Sequence, residues 1–101
     1  MRSDTDVPDP DITVVRNDAE HRYEIVVDGT VAGFTEIESR DGTVVMPHTV
    51  VDDAYAGQGL GGKLVSGALE DIRGRGERIV PECSYVRSFI EKHPEYGDLV
   101  A

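Results

Sequence analysis

The chain has 101 residues, which suits one domain with one modest hydrophobic core. Its 20 acidic residues against 10 basic ones give a formal net charge of -10. This argues against a general nucleic-acid binder, because such proteins rely on Lys and Arg at phosphates. Hydrophobic residues at 39% and charged residues at 30% are typical of a globular rather than a disordered protein.

A single cysteine, Cys83, excludes an intrachain disulfide, and with three scattered histidines it lacks the spacing of a metal site. No apolar run reaches the ~18 residues that a membrane span needs. Residues 1–10 are acidic, contain two prolines and lack the apolar region of a signal peptide. We therefore expect a disordered arm over 1–10, a single domain over 11–101, and a cytoplasmic location without membrane contact.

The first half of the chain predicts an antiparallel meander of about four strands. Tyr23, Ile25 and Val27 alternate with their neighbours, which indicates a half-buried strand. Asp28-Gly29 and Asp41-Gly42 predict tight hairpin turns, since these residues tolerate positive φ. The strands are predicted over residues 12–16, 23–27, 31–37 and 43–51.

The second half predicts a loop over 52–59, a helix, a short strand over 78–81 and a second helix. The first helix carries an apolar face formed by Leu60, Leu64, Val65, Ala68, Leu69 and Ile72. Gly74 and Gly76 end it, Ser84 is expected to cap the second helix, and Pro94 stops that one. A strand, helix and strand form a right-handed parallel unit, so the fourth strand and the strand around Ile79 are expected side by side. The expected fold class is α+β: a meander, a parallel βαβ unit and a C-terminal helix.

The glycine-rich segment over 57–63 is the strongest motif. Glycines that lead into a helix N-terminus favour an anion, usually phosphate. The segment satisfies the dinucleotide pattern G-x-G-x-x-G, but a meander rather than a doubly wound sheet precedes it. It also satisfies G-x-x-x-x-G-K, yet Leu64 stands where a nucleoside triphosphatase needs Ser or Thr.

A third pattern, [QR]-x-x-G-x-[GA] after a meander and before a helix, fits the surroundings as well. With His48-Thr49-Val50-Val51, Pro81–Val86 and His93-Pro94-Glu95-Tyr96, it makes the chain resemble the GNAT superfamily of acetyl-CoA-dependent N-acetyltransferases, in particular its minimal single-domain members. Ala56 departs from the family pattern, which has Arg or Gln there, so one side-chain bond to phosphate of ~1–3 kcal/mol is missing.

The resemblance implies a site for acetyl-CoA or coenzyme A. Its diphosphate would lie on the glycine loop, and Val50 and Val51 would offer backbone groups to the pantetheine arm. Pro47 would break the strand pairing there, or merely distort an edge strand. Lys63 would assist the phosphates, or be a solvated helix lysine. The implied cofactor-binding loop residues are Gly57, Gln58, Gly59, Leu60, Gly61, Gly62 and Lys63.

Cys83, His48 and Tyr85 are the candidate catalytic residues. Cys83 lies near a helix start, where a thiolate is stabilised, so it could accept acetyl or protonate the leaving thiolate. Its alternative is a buried apolar side chain. His48 is expected near Cys83 as a general base, or as a structural histidine. Tyr85 is a general acid by analogy, or a packing residue.

The function expected is transfer of acetyl to a primary amine, by direct attack or through the cysteine. The alternative is a non-catalytic module that binds coenzyme A or another protein. Residues 11–27 are predicted as strands where the superfamily has a helix pair, so the acceptor pocket should be open. The acceptor would be a protein lysine or another cationic substrate. A monomer or weak dimer is expected.

Overall fold

The computed structural model describes residues 11–55 and 57–101, so the expected arm over 1–10 lies outside the described residues. The element order is β1 (Ile12–Asn17), β2 (Arg22–Val27), β3 (Thr30–Glu36), β4 (Glu38–Arg40), β5 (Thr43–Val45), β6 (Thr49–Val51), α1 (Leu60–Gly74), β7 (Arg78–Val80) and α2 (Ser84–Lys92). Short 3-10 helices cover Asp53–Tyr55 and Pro94–Leu99. The α+β class is confirmed.

The strands form two sheets rather than one. A four-stranded antiparallel sheet has the order β1-β2-β3-β6, and a three-stranded sheet has the order β4-β5-β7. Both predicted hairpin turns are confirmed, with φ of 49° and 83° at Asp28 and Gly29, and 48° and 83° at Asp41 and Gly42. The strand β4 was not predicted.

The predicted fourth strand over 43–51 is wrong as a single strand. Its first part, β5, pairs in parallel with β7, whereas its last part, β6, pairs antiparallel with β3. Met46 donates to the Val80 carbonyl over 3.0 Å, while the His48 carbonyl accepts the Glu36 N–H over 2.8 Å. Pro47, which has no N–H to donate, lies where the chain changes partner. The strand next to the glycine loop is therefore β6, and only β5 belongs to the parallel unit.

Helix α1 packs its apolar face on the inner side of the four-stranded sheet. The buried residues of α1 are the six that the sequence predicts, Leu60, Leu64, Val65, Ala68, Leu69 and Ile72. They meet Tyr23, Ile25 and Val27 of β2 and complete the core with Val44, Met46 and Ile79. This packing fixes the N-terminus of α1 beside β6.

The N-cap of helix α2 is Cys83, whereas the sequence predicts Ser84, which is instead the first residue of the helix. The backbone N–H of Cys83 donates to the Met46 carbonyl over 2.9 Å, which anchors the start of α2 to the point where β5 ends. The cysteine is thereby held at the junction of the two sheets. None of the helices in the described ranges is long and apolar enough to span a membrane.

Candidate functional site

A cavity of about 380 Å³ opens between β6 and the N-terminus of α1. Thr49 and Val51 of β6 form one wall, and the glycine loop forms the other. The complete lining is Thr49, Val51, Tyr55, Gly57, Gly59, Leu60, Gly61 and Tyr85. Six of the predicted site residues therefore lie around one space: Val51, Gly57, Gly59, Leu60, Gly61 and Tyr85.

The glycine loop has the backbone geometry that the anion hypothesis requires. Gly57 and Gly59 adopt φ of 82° and 71°, which side-chain-bearing residues rarely adopt. Gly59 is the N-cap of α1, and no side chain there caps the helix. The N–H groups of the first turn therefore have no side-chain partner, and they point to where an anion would be stabilised by the helix dipole. Ala56, the departure from the family pattern, lies outside the described residues.

Strand β6 presents alternate backbone groups to the cavity. The His48 carbonyl accepts from Glu36 and the Asp52 N–H donates to Ala32, so positions 48, 50 and 52 face β3. Backbone groups alternate along an antiparallel strand, and positions 49 and 51 therefore face the open side. The backbone groups of Val51 therefore point to the open side, whereas those of Val50 pair with Phe34 of β3. Thr49 is the second residue on the open side.

Cys83 lies against Thr49 at the inner end of this strand. The Cys83 thiol donates to the Thr49 hydroxyl over 3.5 Å. Partial burial raises the pKa of the Cys83 thiol, but the Thr49 hydroxyl and the backbone N–H groups of Val86, Tyr85 and Thr49 stabilise the thiolate more strongly. The pKa of Cys83 is therefore lowered from its ordinary value, which increases the thiolate fraction near neutral pH.

The structure does not bring His48 to Cys83. Its side chain is exposed, and its carbonyl accepts bonds from the Glu36 N–H and the Thr35 hydroxyl. Because residues 48 and 49 point to opposite faces of β6, Thr49 occupies the position beside the thiol. The expectation that His48 lies near Cys83 is therefore wrong. The chain passes from the three-stranded to the four-stranded sheet at Pro47, and Thr49 rather than His48 then faces the thiol.

Tyr85 covers the start of α1. A Cβ added at Gly61 would lie 2.5 Å from the Tyr85 hydroxyl, so the ring is seated directly on this glycine. The Tyr85 side chain is still 45% exposed, because it stands at the cavity mouth. A side chain at position 61 would require the Tyr85 ring to move away from α1, which this exposed ring can do.

Sequence reasoning missed Thr49 and Tyr55 as site residues. Thr49 was quoted only as part of a motif, yet Pro47 ends one strand and Thr49 and Val51 then share a face of the next. The signal was therefore present in the spacing after the proline. Tyr55 belongs to the 3-10 helix Asp53–Tyr55, where the sequence predicts a loop.

The charged side chains of the described residues are not arranged as a metal centre. Within residues 11–55 and 57–101, no three side chains of His, Cys, Asp or Glu come close enough together to hold a metal ion. The chemistry of the cavity rests on backbone N–H groups, hydroxyls and one thiol. Backbone N–H groups at a helix N-terminus suit a phosphorylated ligand, and a thiol can act as a nucleophile.

Comparison with known proteins gives a consistent result. A family model described as GCN5-related N-acetyl-transferase matches residues 22–99. The solution structure of a GCN5-like protein from Staphylococcus aureus is similar with a TM-score of 0.66 and 25% identity, covering 88% of this chain and 87% of that chain. No curated protein matches the chain significantly.

Two larger proteins share the fold. A protein of the GNAT family from Desulfovibrio desulfuricans has a TM-score of 0.50 at 21% identity and covers 71% of this chain. The IAA acetyltransferase from Bacillus cereus has a TM-score of 0.50 at 23% identity and covers 72% of this chain. The chain spans 52% and 54% of those two proteins.

Proposed function

Because the chain belongs to the GCN5-related N-acetyl-transferase family and is an acetyltransferase, we propose that it takes acetyl from acetyl-CoA and transfers it to a primary amine. The family match covers residues 22–99, which include β6, the glycine loop and Cys83.

One observation carries the proposal: a single cavity joins the uncapped N-terminus of α1 to Thr49, the partner of the Cys83 thiol. Acetyl-CoA has a diphosphate, an extended amide-bearing arm and a thioester in that order. The first turn of α1 suits the diphosphate. The outward backbone groups of Val51 suit the amides of the arm, which brings the thioester toward Thr49 and Cys83.

The side chains near the thiol support a route through an acetyl-cysteine. The Cys83 thiolate attacks the carbonyl carbon of the thioester, the bond from that carbon to the coenzyme A sulfur breaks, and the released thiolate takes up a proton. An unprotonated amine then attacks the acetyl-cysteine carbonyl, the bond to Cys83 Sγ breaks, and the amine gives up its proton as the amide forms. The lowered pKa of Cys83 favours the first step.

The acceptor proposed is a cationic substrate with a primary amine, such as a lysine of another protein. The chain has a formal net charge of -10, so its field attracts positively charged molecules. Strands β1 and β2 occupy residues 12–17 and 22–27, the segment where the superfamily has a helix pair. An acceptor site without those helices is open, which suits a side chain displayed by a macromolecule.

Thermal unfolding with acetyl-CoA tests the donor. A ligand that binds only the folded state at about 100 times its Kd adds about 2.7 kcal/mol, so a clear rise in Tm is expected at millimolar acetyl-CoA. The absence of any rise would contradict the proposal. A rise without acetyl transfer to a set of cationic amines would instead support the non-catalytic module.

Mass spectrometry tests the cysteine. With acetyl-CoA and no amine, the chain should gain one acetyl group on the peptide containing Cys83, and Cys83→Ala should gain none there. Full transfer by Cys83→Ala would contradict the cysteine route and leave direct attack by the amine. Cys83→Ser is the matched control, because it replaces the thiol with a hydroxyl of similar size that still forms hydrogen bonds but supplies no nucleophilic thiolate.

A further inference from the structure

The arginines and the lysines of this acidic protein differ in their bonding partners. Each of the seven arginines in the described residues bonds to a carboxylate or a backbone carbonyl: Arg16, Arg22, Arg40, Arg73, Arg75, Arg78 and Arg87. The sequence contains only two lysines, Lys63 and Lys92, and neither forms an ion pair with a described residue. The unpaired long cations in this part of the chain are therefore these two.

Both lysines border the same surface depression beside the glycine loop. Lys63 lines a cavity of about 380 Å³ and Lys92 lines an adjoining one of about 290 Å³. The two cavities share four residues, so they form one continuous groove between α1 and α2. We refer to it as the lysine groove, formed by Gly59, Gly62, Lys63, Phe89, Lys92 and His93.

The floor of the lysine groove is aromatic. Phe89 and His93 stack with ring centroids 4.2 Å apart and an interplanar angle of 27°. The His93 side chain is 46% exposed, so solvent and ligands can reach this aromatic pair. Two lysines that border a groove containing a stacked aromatic pair favour a molecule that carries both a phosphate and a planar base.

We propose that the lysine groove binds the adenosine 3'-phosphate end of the donor, and that Lys63 and Lys92 make the chain select coenzyme A over donors without that phosphate. This inference rests on the proposed function. Gly59 and Gly62 belong both to the loop assigned to the diphosphate and to the lysine groove. The nucleoside of coenzyme A is covalently attached to its diphosphate. If the diphosphate binds this loop, the nucleoside therefore lies next to the lysine groove.

Glu95 gives the inference an internal control of opposite sign. Its carboxylate lines the Lys63 side of the lysine groove and lies 3.9 Å from His93 Nδ1. A carboxylate there repels a phosphate and so reduces the attraction of the two lysines. Removing its charge should therefore strengthen phosphate binding, whereas removing a lysine charge should weaken it.

The test compares coenzyme A with dephospho-coenzyme A by isothermal titration calorimetry. The wild type should bind coenzyme A about tenfold more tightly, the value of one charge-assisted hydrogen bond. Lys63→Gln with Lys92→Gln should abolish this ratio mainly by weakening coenzyme A binding, and Glu95→Gln should increase it. Arg40→Gln, which removes an exposed charge of β4, should leave the ratio unchanged.

The outcomes separate the two proposals. Equal affinities of the wild type for both compounds would overturn the inference and leave the proposed function intact. A wild-type preference that the double lysine variant retains would also overturn it, because the lysines would not be its source. Binding of neither compound would contradict the proposed function itself. Gln has nearly the same helix propensity as Lys, so the double lysine variant should show wild-type thermal unfolding without ligand.

Discussion

The Cys83 thiol donates a hydrogen bond to the Thr49 hydroxyl over 3.5 Å, across the gap where the chain leaves one sheet for the other. Thr49 follows Pro47 by two residues, and Cys83 is held by the Met46 carbonyl just before that proline. The partner change therefore determines which side chain the cysteine meets. The change of sheet after β5 therefore also places the Thr49 hydroxyl beside the Cys83 thiol.

Thr49→Val should raise the pKa of the Cys83 thiol. The variant keeps the shape of the side chain but removes the hydroxyl that helps to stabilise the thiolate. The rate of alkylation by iodoacetamide, measured against pH, should reach its midpoint at a higher pH than in the wild type. Thr30→Val, an exposed change at the start of β3, should leave the midpoint where it was. An unshifted midpoint in Thr49→Val would show that the hydroxyl does not influence the thiol.

His48→Gln should retain acetyl transfer within about threefold, with the pH profile unchanged. A general base contributes about 10²–10⁴ in rate, but the exposed His48 side chain points away from the Thr49 face of β6. The backbone bonds of residue 48 survive the substitution. Steady-state rates against pH provide the measurement, and a loss of a hundredfold or more would restore His48 as a catalytic candidate.

Gly59→Ala should destabilise the fold by about 1–2 kcal/mol, the cost of left-handed backbone for a residue with Cβ. Gly59 has φ of 71° and no heavy atom within 4 Å of an added Cβ, so the cost is conformational rather than steric. Gly74→Ala is the matched control, since it also has open space but no positive φ, and it should be neutral or slightly stabilising. Urea denaturation compares the two. Equal effects of both substitutions would contradict this explanation.

Tyr23→Phe should lower the free energy of unfolding by about 1–3 kcal/mol at about pH 7, because the buried Tyr23 hydroxyl donates to the Asp71 carboxylate over 2.6 Å. Burial, and then the bond to Asp71, raises the pKa of Tyr23. A raised pKa means that the stabilisation is complete below the unfolded value of about 10 and is lost as the pH rises above it. The difference between wild type and variant should therefore shrink above about pH 10. A difference that stays constant with pH would exclude this linkage.

The fold was predictable where a local pattern reflects burial. The burial of Tyr23 and Ile25 and the apolar face of α1 follow from which side chains leave water, and both are confirmed. The alternation itself is incomplete, because Glu24 is also buried and pairs with Arg22. The Asp-Gly turns were predictable because positive φ restricts the residue types that can occupy them. These features depend on neighbours in the sequence rather than on distant partners.

The division of the fourth strand was not predictable in the same way. Residues 43–51 are rich in β-branched residues and predict one strand. Only the partners of Met46 and His48, which come from β7 and β3, show that this segment contributes to two sheets. For the same reason the sequence placed His48 rather than Thr49 beside Cys83. Pro47 signalled a break in pairing, but its effect on which residues face the cavity depended on long-range contacts.

The scarcity of lysine makes the chain unusually simple to label. Lys63 and Lys92 both border the lysine groove, and no other lysine occurs in the sequence. A fluorophore carrying an amine-reactive ester will therefore mark its side chains at that one location. Protection of these two sites from labelling gives a direct footprint of whatever molecule occupies the groove, with no substitution needed in the protein.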